Sequence, residues 1–149
     1  MRFWLIAGGI LLLDRLSKIW IMNNIDLGTN LVLINGILNI SYLHNRGAAF
    51  GIMQGQAWLF LALAAMVIVA AVYYNHQYHP QRWIQYALAL IVGGSLGNLI
   101  DRLLYRSVVD FISIGWFPVF NVADMAIVCG GILFMLYILK TDLGESGQE

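Results

Sequence analysis

Long apolar stretches separated by short polar segments dominate the pattern of this chain. A bilayer core of about 30 Å needs roughly 20 mostly apolar residues in a helix, and the stretches are close to that length. They predict four membrane-spanning helices, over residues 3–22, 57–74, 83–104 and 121–139. The polar segment 141–149 that follows predicts a short disordered tail.

The segment 23–56, between the first two spans, has a different pattern. Two β-prone stretches, residues 29–34 and 37–43, flank Asn35-Gly36, a dipeptide that favours a type I′ hairpin turn. Lipid cannot satisfy an open sheet edge, so this β element has to lie in the membrane interface or outside the membrane. The predicted fold is a single all-α membrane domain with four transmembrane helices. A small extracytoplasmic β-hairpin or sheet joins the first two.

Four spans place both chain ends on one side of the membrane. The basic residues divide almost evenly between the two sides, so the charge rule decides little here. Arg2 precedes the first span and the second polar loop is short. Both features favour cytoplasmic ends, with residues 141–149 forming a cytoplasmic tail.

The composition agrees with a membrane protein, because 60% hydrophobic residues and a mean hydropathy of +0.76 leave too little polar surface for a soluble globule. Eight basic and eight acidic residues give zero formal net charge, and we expect no nucleic-acid partner. The single cysteine, Cys129, lies inside an apolar run and cannot form an internal disulfide. We expect it to be buried by packing.

Two aspartates, Asp110 and Asp124, lie in or next to the segment between the third and fourth spans. A carboxylate near hydrocarbon loses hydration, which disfavours its ionised form, and a second carboxylate nearby separates the two titrations. Such a pair can share one proton, so that one member acts as a base on water while the other donates to a departing amine. Asp110, among β-branched and aromatic neighbours, is expected to be protonated more often.

Each aspartate also has a simpler interpretation. Asn121 stands at a natural helix N-cap, so Asp124 completes an Asn-x-x-Asp capping box. The simpler interpretation of Asp110 is a solvated aspartate in a loop, although the apolar residues around it argue against full exposure. The two aspartates together favour catalysis.

Further polar and small residues recur in short blocks along the chain. In order, the blocks are Asp14 with Lys18, Asn45–Gly51, Gly93-Gly94 with residues 97–102, Val108–Phe111 and Phe120–Asp124. Together they resemble bacterial lipoprotein signal peptidase, also called signal peptidase II, a family of four-span membrane aspartic endopeptidases. The resemblance covers nearly the whole chain.

The resemblance implies that Asp110 and Asp124 form a catalytic dyad. The expected reaction removes the signal peptide from diacylglyceryl-modified prolipoproteins by cutting before the lipidated cysteine, at the extracytoplasmic face of the bacterial cell membrane. The expected partners are these lipid-modified substrates and membrane lipid. Roles in substrate binding or site support fall on Asp14, Lys18, Asn45, Arg46, Gly47, Asn98, Asp101, Arg102 and Asn121.

Structural roles remain open for several of these residues. Asp14 and Lys18, four residues apart with the acid first, suit a helical ion pair. The asparagines suit polar packing between helices. Gly93, Gly94 and Gly97 permit close helix packing, and we expect them to make room for the dyad or a substrate helix.

The three histidines form no recognisable metal set with the acids, so neither a metal nor another cofactor is expected. Intramembrane carboxylates with asparagines also suit a proton- or cation-coupled transporter, or a membrane subunit that binds a partner helix. Those alternatives predict ion flux or complex formation without hydrolysis. The peptidase predicts loss of cleavage when either dyad acid becomes asparagine.

Overall fold

The computed structural model of the chain describes residues 1–47 and 53–145. It is mostly helical, with one small antiparallel sheet. Its elements are α1 (Arg2–Asn24), β1 (Asn30–Ile34), β2 (Leu38–Asn45), α2 (Ala57–Tyr78), α3 (Arg82–Tyr105), β3 (Val108–Ile114) and α4 (Val122–Glu145). Residues 48–52 of the predicted substrate-facing loop and residues 146–149 of the predicted tail lie outside the described residues.

Among the described residues, α2, α3 and α4 are long and apolar enough to cross a membrane. They correspond to the second, third and fourth predicted spans. The helix predicted over residues 3–22 is present as α1, but Asp14, Arg15 and Lys18 in its second half make it less apolar than the other three. The chain is thus a membrane protein with at least three candidate spans.

α3 is the central helix of the bundle. It packs against α1, α2 and α4, whereas α2 has little or no contact with α4 among the described residues. Of the apolar window in each helix, 56% is buried in α3, against 11% in α2 and 17% in α4. The outer faces of α2 and α4 therefore present apolar side chains to the surroundings, as lipid-facing helices do.

Three glycines of α3 explain how its neighbours come so close. A Cβ atom on Gly93 would lie 2.6 Å from the Ala7 carbonyl oxygen in α1, and one on Gly94 would collide with the Ala123 carbonyl oxygen in α4. A Cβ atom on Gly97 would collide with the Asp14 carboxylate. The predicted role in close packing is confirmed. The space is occupied by α1 and α4, and not by the dyad or a substrate helix as we expected.

The predicted hairpin is present, since β1 pairs antiparallel with β2. The predicted turn type is wrong. A type I′ turn needs a positive φ at both central residues, but only Gly36 has one (φ +71°) and Asn35 is not among the residues with positive φ. Ile34 pairs with Leu38, so the connection is one residue longer than a two-residue turn allows.

A third strand extends the sheet beyond the predicted segment 23–56. β3 follows α3 and pairs antiparallel with β2, which gives the order β1-β2-β3. The first four residues of β3, Val108 to Phe111, are all buried. A strand covered on both faces does not alternate between apolar and polar residues, which is why the sequence pattern did not reveal it as part of the sheet.

Two smaller expectations also differ from the structure. Cys129 is exposed on α4, so the prediction of a buried cysteine is wrong; Val128 and Ile132 nearby are exposed as well, as suits a face directed at lipid. α4 continues to Glu145, so residues 141–145 are helical where the sequence predicted a tail. The polar residues there do not favour burial of the helix, but they are compatible with a helical backbone.

The glycine contacts predict that Gly94→Ala destabilises the bundle, because the added methyl group meets backbone that cannot rotate away. We expect a loss of about 1–3 kcal/mol in the free energy of unfolding, typical of overpacking, measured as thermal unfolding in detergent. Gly131→Ala in α4 is the matched control, since a Cβ atom there has nothing within 4 Å. Equal stability of the two variants would contradict the packing role.

Candidate active site

Asp110 and Asp124 lie on different elements and face one cavity. Asp110 is the third residue of β3, and Asp124 lies in the first turn of α4. Both line a cavity of about 630 Å³, whose walls also include residues of α2 and α3, the end of β2 and the segment 117–120. The structure thus brings the two predicted dyad residues together from strand and helix.

Two asparagines connect the aspartates through hydrogen bonds. The Asn121 side-chain amide donates to Asp110 Oδ1 at 2.7 Å and to Asn98 Oδ1 at 3.2 Å. The Asn98 amide in turn donates to Asp124 Oδ1 at 2.7 Å. Asn98 and Asn121 are both buried, so this set of neutral donors fixes both carboxylates without adding charge between them.

Asn121 and Asp124 also form the predicted capping box. The Asp124 backbone N–H donates to Asn121 Oδ1 at 2.9 Å, and the Asn121 backbone N–H donates to Asp124 Oδ2 at 3.2 Å. The simpler interpretation of Asp124 is therefore confirmed as geometry. It does not exclude a chemical role, because the carboxylate still faces the cavity.

Asp110 is almost fully buried, with 1% of its surface exposed. Burial, and after it repulsion from the Asp124 carboxylate, raises the pKa of Asp110 from its ordinary value of 3.8 to about 7. Hydrogen bonds from Asn45 and Asn121 and the charge of Lys18 act in the opposite direction. The raised pKa favours the protonated form of Asp110. The expectation that Asp110 carries the proton more often than Asp124 stays a prediction.

The end of β2 reaches Asp110 from the other side. The Asn45 amide donates to Asp110 Oδ2 at 2.9 Å, and Asn45 Oδ1 accepts a hydrogen bond from the Gly47 backbone N–H. Asn45 and Gly47 both line the cavity. The Arg46 side chain is exposed, and its carbonyl oxygen accepts a hydrogen bond from the Gly55 N–H.

Behind the dyad, buried charges join α1 to α3. The fully buried Lys18 ammonium lies 2.9 Å from Asp14 Oδ2 and 2.9 Å from Asp101 Oδ2, and it donates to Asn98 Oδ1 at 3.0 Å. The predicted ion pair of Asp14 with Lys18 is confirmed. Asp101 points into this network and does not line the cavity, whereas Asn98, one turn earlier, does.

Each carboxylate of the network also holds the backbone beside a dyad residue. Asp14 Oδ1 accepts the Ala123 N–H at 3.0 Å, immediately before Asp124. Asp101 Oδ2 accepts the Val109 N–H at 3.1 Å, immediately before Asp110. The network is therefore the support on which both aspartates are placed.

Arg15 belongs to this network and was not among the predicted site residues. Its guanidinium pairs with Asp101 Oδ1. A balance of charges would have called for a second cation, because Asp14 and Asp101 carry two negative charges and Lys18 supplies only one positive charge. Arg15, directly after Asp14, and Arg102, directly after Asp101, are both candidates by sequence, so the balance alone does not choose between them.

Arg102 is the cation that lines the cavity. It is half-buried, with its guanidinium carbon 4.9 Å above the centre of the Phe60 ring of α2. Phe60 also lines the cavity and was not predicted from the sequence. The contact keeps one positive charge near the two carboxylates without direct pairing to either, as cation–π geometry allows.

Comparison with known proteins gives the family of this chain. The profile of the family described as signal peptidase (SPase) II matches residues 6–140. The chain belongs to the signal peptidase II family. As a signal peptidase II, it is a membrane peptidase and hence a hydrolase.

Individual relatives extend over almost the full chain. A lipoprotein signal peptidase of Syntrophomonas wolfei is 48% identical over 139 residues, covering 93% of each chain. One of Clostridium novyi is 36% identical over 146 residues, covering 94% of this chain and 98% of its own. The solved structure of a bacterial membrane enzyme, determined at 2.3 Å by the in meso method, has a TM-score of 0.90 at 33% identity. It covers 99% of this chain and 92% of that chain.

The ion network predicts a large cost for Lys18→Met in this signal peptidase II. The change leaves the Asp14 and Asp101 carboxylates buried with too little positive charge, and we expect a loss of about 3–5 kcal/mol in the free energy of unfolding. Thermal or denaturant unfolding in detergent measures it. Lys140→Met, at an exposed position of α4, is the matched control and should stay within about 0.5 kcal/mol of the parent. Similar stabilities would contradict a supporting role for the network.

Proposed function

We propose that this chain removes signal peptides from lipid-modified prolipoproteins, with Asp110 and Asp124 as its catalytic dyad. Membership of the signal peptidase II family supports the reaction. One observation carries the assignment of the dyad, namely that the two carboxylates share a single cavity and a single set of asparagine donors. The assignment accounts for two acids placed together at a cost in hydration.

The proposed mechanism is direct hydrolysis by water. Asp124 accepts hydrogen bonds from Asn98 and from backbone, contacts that suit a carboxylate acting as the base. It removes a proton from a water molecule that attacks the scissile carbonyl carbon, while protonated Asp110 donates a hydrogen bond to the carbonyl oxygen. The tetrahedral intermediate then collapses, the C–N bond breaks, and the departing nitrogen receives a proton from the pair. No acyl-enzyme forms.

The cavity suits a substrate that is itself a membrane helix. Its α2 wall carries Leu63 and Val67, and its α4 wall carries Ile127 and Val128, so an apolar signal helix can lie between α2 and α4. The scissile bond before the lipidated cysteine then reaches the polar end of the cavity. Asn45 lies at this end, and the acyl chains of the substrate stay in lipid.

We further propose that α1 is a fourth span of a single membrane domain. Its 23 residues extend about 34 Å at 1.5 Å per residue, enough to cross the bilayer core. Asp14 and Lys18 within it are paired and fully buried, so they do not face lipid. Four spans would leave both chain ends on one side of the bacterial plasma membrane. We assign that side to the cytoplasm, and the sheet and the dyad to the extracytoplasmic face.

A transporter or a partner-binding subunit is the other class that intramembrane carboxylates suit. Membership of a peptidase family disfavours it. Substitutions of Asp110 and Asp124 distinguish a peptidase from these alternatives. A transporter without hydrolytic activity would leave prolipoprotein uncut whatever residue stood at positions 110 and 124.

Substitution of either dyad acid tests the proposal. Asp110→Asn and Asp124→Asn keep the side-chain shape and remove the proton exchange, so we expect cleavage to fall by at least about 10²–10⁴-fold. The assay follows signal-peptide release by mass from a diacylglyceryl-modified prolipoprotein in lipid or detergent. Asp26→Asn is the matched control, because Asp26 is exposed near the sheet, and it should cleave like the parent. Undiminished cleavage by either folded dyad variant would refute the dyad.

The raised pKa of Asp110 predicts a fall in activity as the pH rises through about 7, where Asp110 loses the proton that the reaction needs. The Asn45 hydrogen bond favours the ionised form. Asn45→Ala therefore raises the pKa of Asp110 further and moves this alkaline limb to higher pH. Turnover measured across the pH range checks the shift, with Asn39→Ala on the same strand as a control. A limb that stays in place or moves to lower pH would contradict the assignment of the proton to Asp110.

A further inference from the structure

The pairing of β2 with β3 contains an irregularity between the sheet and the dyad. Ile40 pairs with Ile112, but three residues later Leu43 pairs with Asp110, only two residues along β3. One extra residue of β2 is thus accommodated as a β-bulge. Beyond the bulge the register continues, so that Asn45 pairs with Val108.

The bulge decides which residue of β2 faces Asp110. Side chains of a strand alternate between faces, so a change of register by one residue exchanges the two faces. Without the bulge, Asp110 would pair with Tyr42 and Val108 with His44. Asn45 would then lie on the opposite face. With the bulge, Asn45 and Asp110 lie on the same face as diagonal neighbours, and the 2.9 Å hydrogen bond between them forms.

On the other face, three side chains form a hydrogen-bonded chain across the two strands. Tyr42 Oη lies 3.0 Å from His44 Nε2, and His44 Nδ1 lies 2.7 Å from Ser107 Oγ. Ser107 Oγ is also 3.2 Å from the Tyr105 carbonyl oxygen, at the end of α3. The chain therefore joins β2 to the point where α3 gives way to β3.

The direction of this chain follows from its one fixed acceptor. The Tyr105 carbonyl can only accept, so the Ser107 hydroxyl donates to it. Ser107 Oγ is then free to accept the Nδ1–H of His44, and in that tautomer His44 Nε2 accepts the Tyr42 hydroxyl. Burial, with Tyr105 and Asp101 nearby, raises the pKa of Tyr42, which keeps that hydroxyl a donor.

The hydrogen bonds that link Tyr42, His44 and Ser107 can form in only one register of β2 against β3. A slip of one residue moves β2 by about 3.3 Å along β3 and turns His44 to the face of Asp110. Both His44 hydrogen bonds would break, and Ser107, only 2% exposed, would lose a buried partner. Tyr42 would leave the apolar cluster that it forms with Ile21 and Phe111.

We propose that His44 and Ser107 are positioning residues for Asp110. The hydrogen bond between His44 and Ser107 holds the bulged register in which Asn45 faces the dyad. Of the described residues, those that line the cavity include Asn45 and Asp110 but neither His44 nor Ser107. The two residues act through Asn45 and do not touch substrate. This inference rests on the proposed role of Asp110 in catalysis.

Two variants break the same bond from its two ends. Ser107→Ala removes the hydroxyl, and His44→Phe keeps a ring against Tyr105 but no nitrogen. We expect kcat to fall about 3- to 10-fold in each, the range for one lost hydrogen bond, with KM within about twofold of the parent. The alkaline limb of activity should move to higher pH, as in Asn45→Ala, because Asp110 loses the same donor. Asp124, Lys18 and Arg102, the charged groups that face Asp110, are unchanged.

A double variant and a rescue separate positioning from general damage. Ser107→Ala combined with Asn45→Ala should move the limb no further than Asn45→Ala alone, because the two changes remove one contact. His44→Asn places an amide nitrogen near the position of Nδ1, so it should retain the bond to Ser107 and behave like the parent. Ser41→Ala is the control, since its hydroxyl bonds to Asn30 of β1 and not to β3.

The inference is overturned if Ser107→Ala or His44→Phe keeps the parental pH limb, or if the shift adds to that of Asn45→Ala. These outcomes are distinct from failure of the proposed function. In that case the parent would not cleave prolipoprotein, or Asp110→Asn would cleave it as the parent does.

Discussion

One buried ammonium group holds this structure together. Lys18 is shared by the carboxylates of Asp14 and Asp101, and each of these carboxylates also accepts a backbone N–H directly before a dyad residue. Charges without water are costly unless they are paired in good geometry, so this arrangement tolerates little displacement. The start of α4 and the start of β3 are thereby fixed relative to α1 and α3, and the positions of Asp110 and Asp124 follow.

Around the dyad itself, the support is neutral. Asn45, Asn98 and Asn121 hold the two carboxylates through amide donors, whereas the cations Lys18 and Arg102 act from further away. A cation in direct contact would favour two ionised carboxylates, which cannot share a proton. Amides fix the geometry and leave the total charge of the pair free to change. Neutral amides at the carboxylates, with the charged groups further away, suit the proposed catalytic role, in which the pair takes up and releases protons.

The sequence was most informative where a few residues determine local geometry. The i,i+4 spacing of Asp14 and Lys18 predicted an ion pair, and Asn121 three residues before Asp124 predicted a cap; both are present. It was least informative about relations between distant segments. The entry of β3 into the sheet depends on its pairing with β2, and the bulge depends on contacts across that pair. Arg15 was missed because its partner, Asp101, is 86 positions away.

Among the described residues, α2 and α4 have little or no contact with each other, which bears on how a substrate would reach the cavity. Both helices pack on α3, and the cavity that contains the dyad lies between them. Under the proposed function, a substrate helix enters there sideways from the bilayer, after diffusion in two dimensions, and does not pass through water. Encounter then depends on how many substrate molecules occupy a given membrane area. Competition among substrates is accordingly governed by their density in the same membrane.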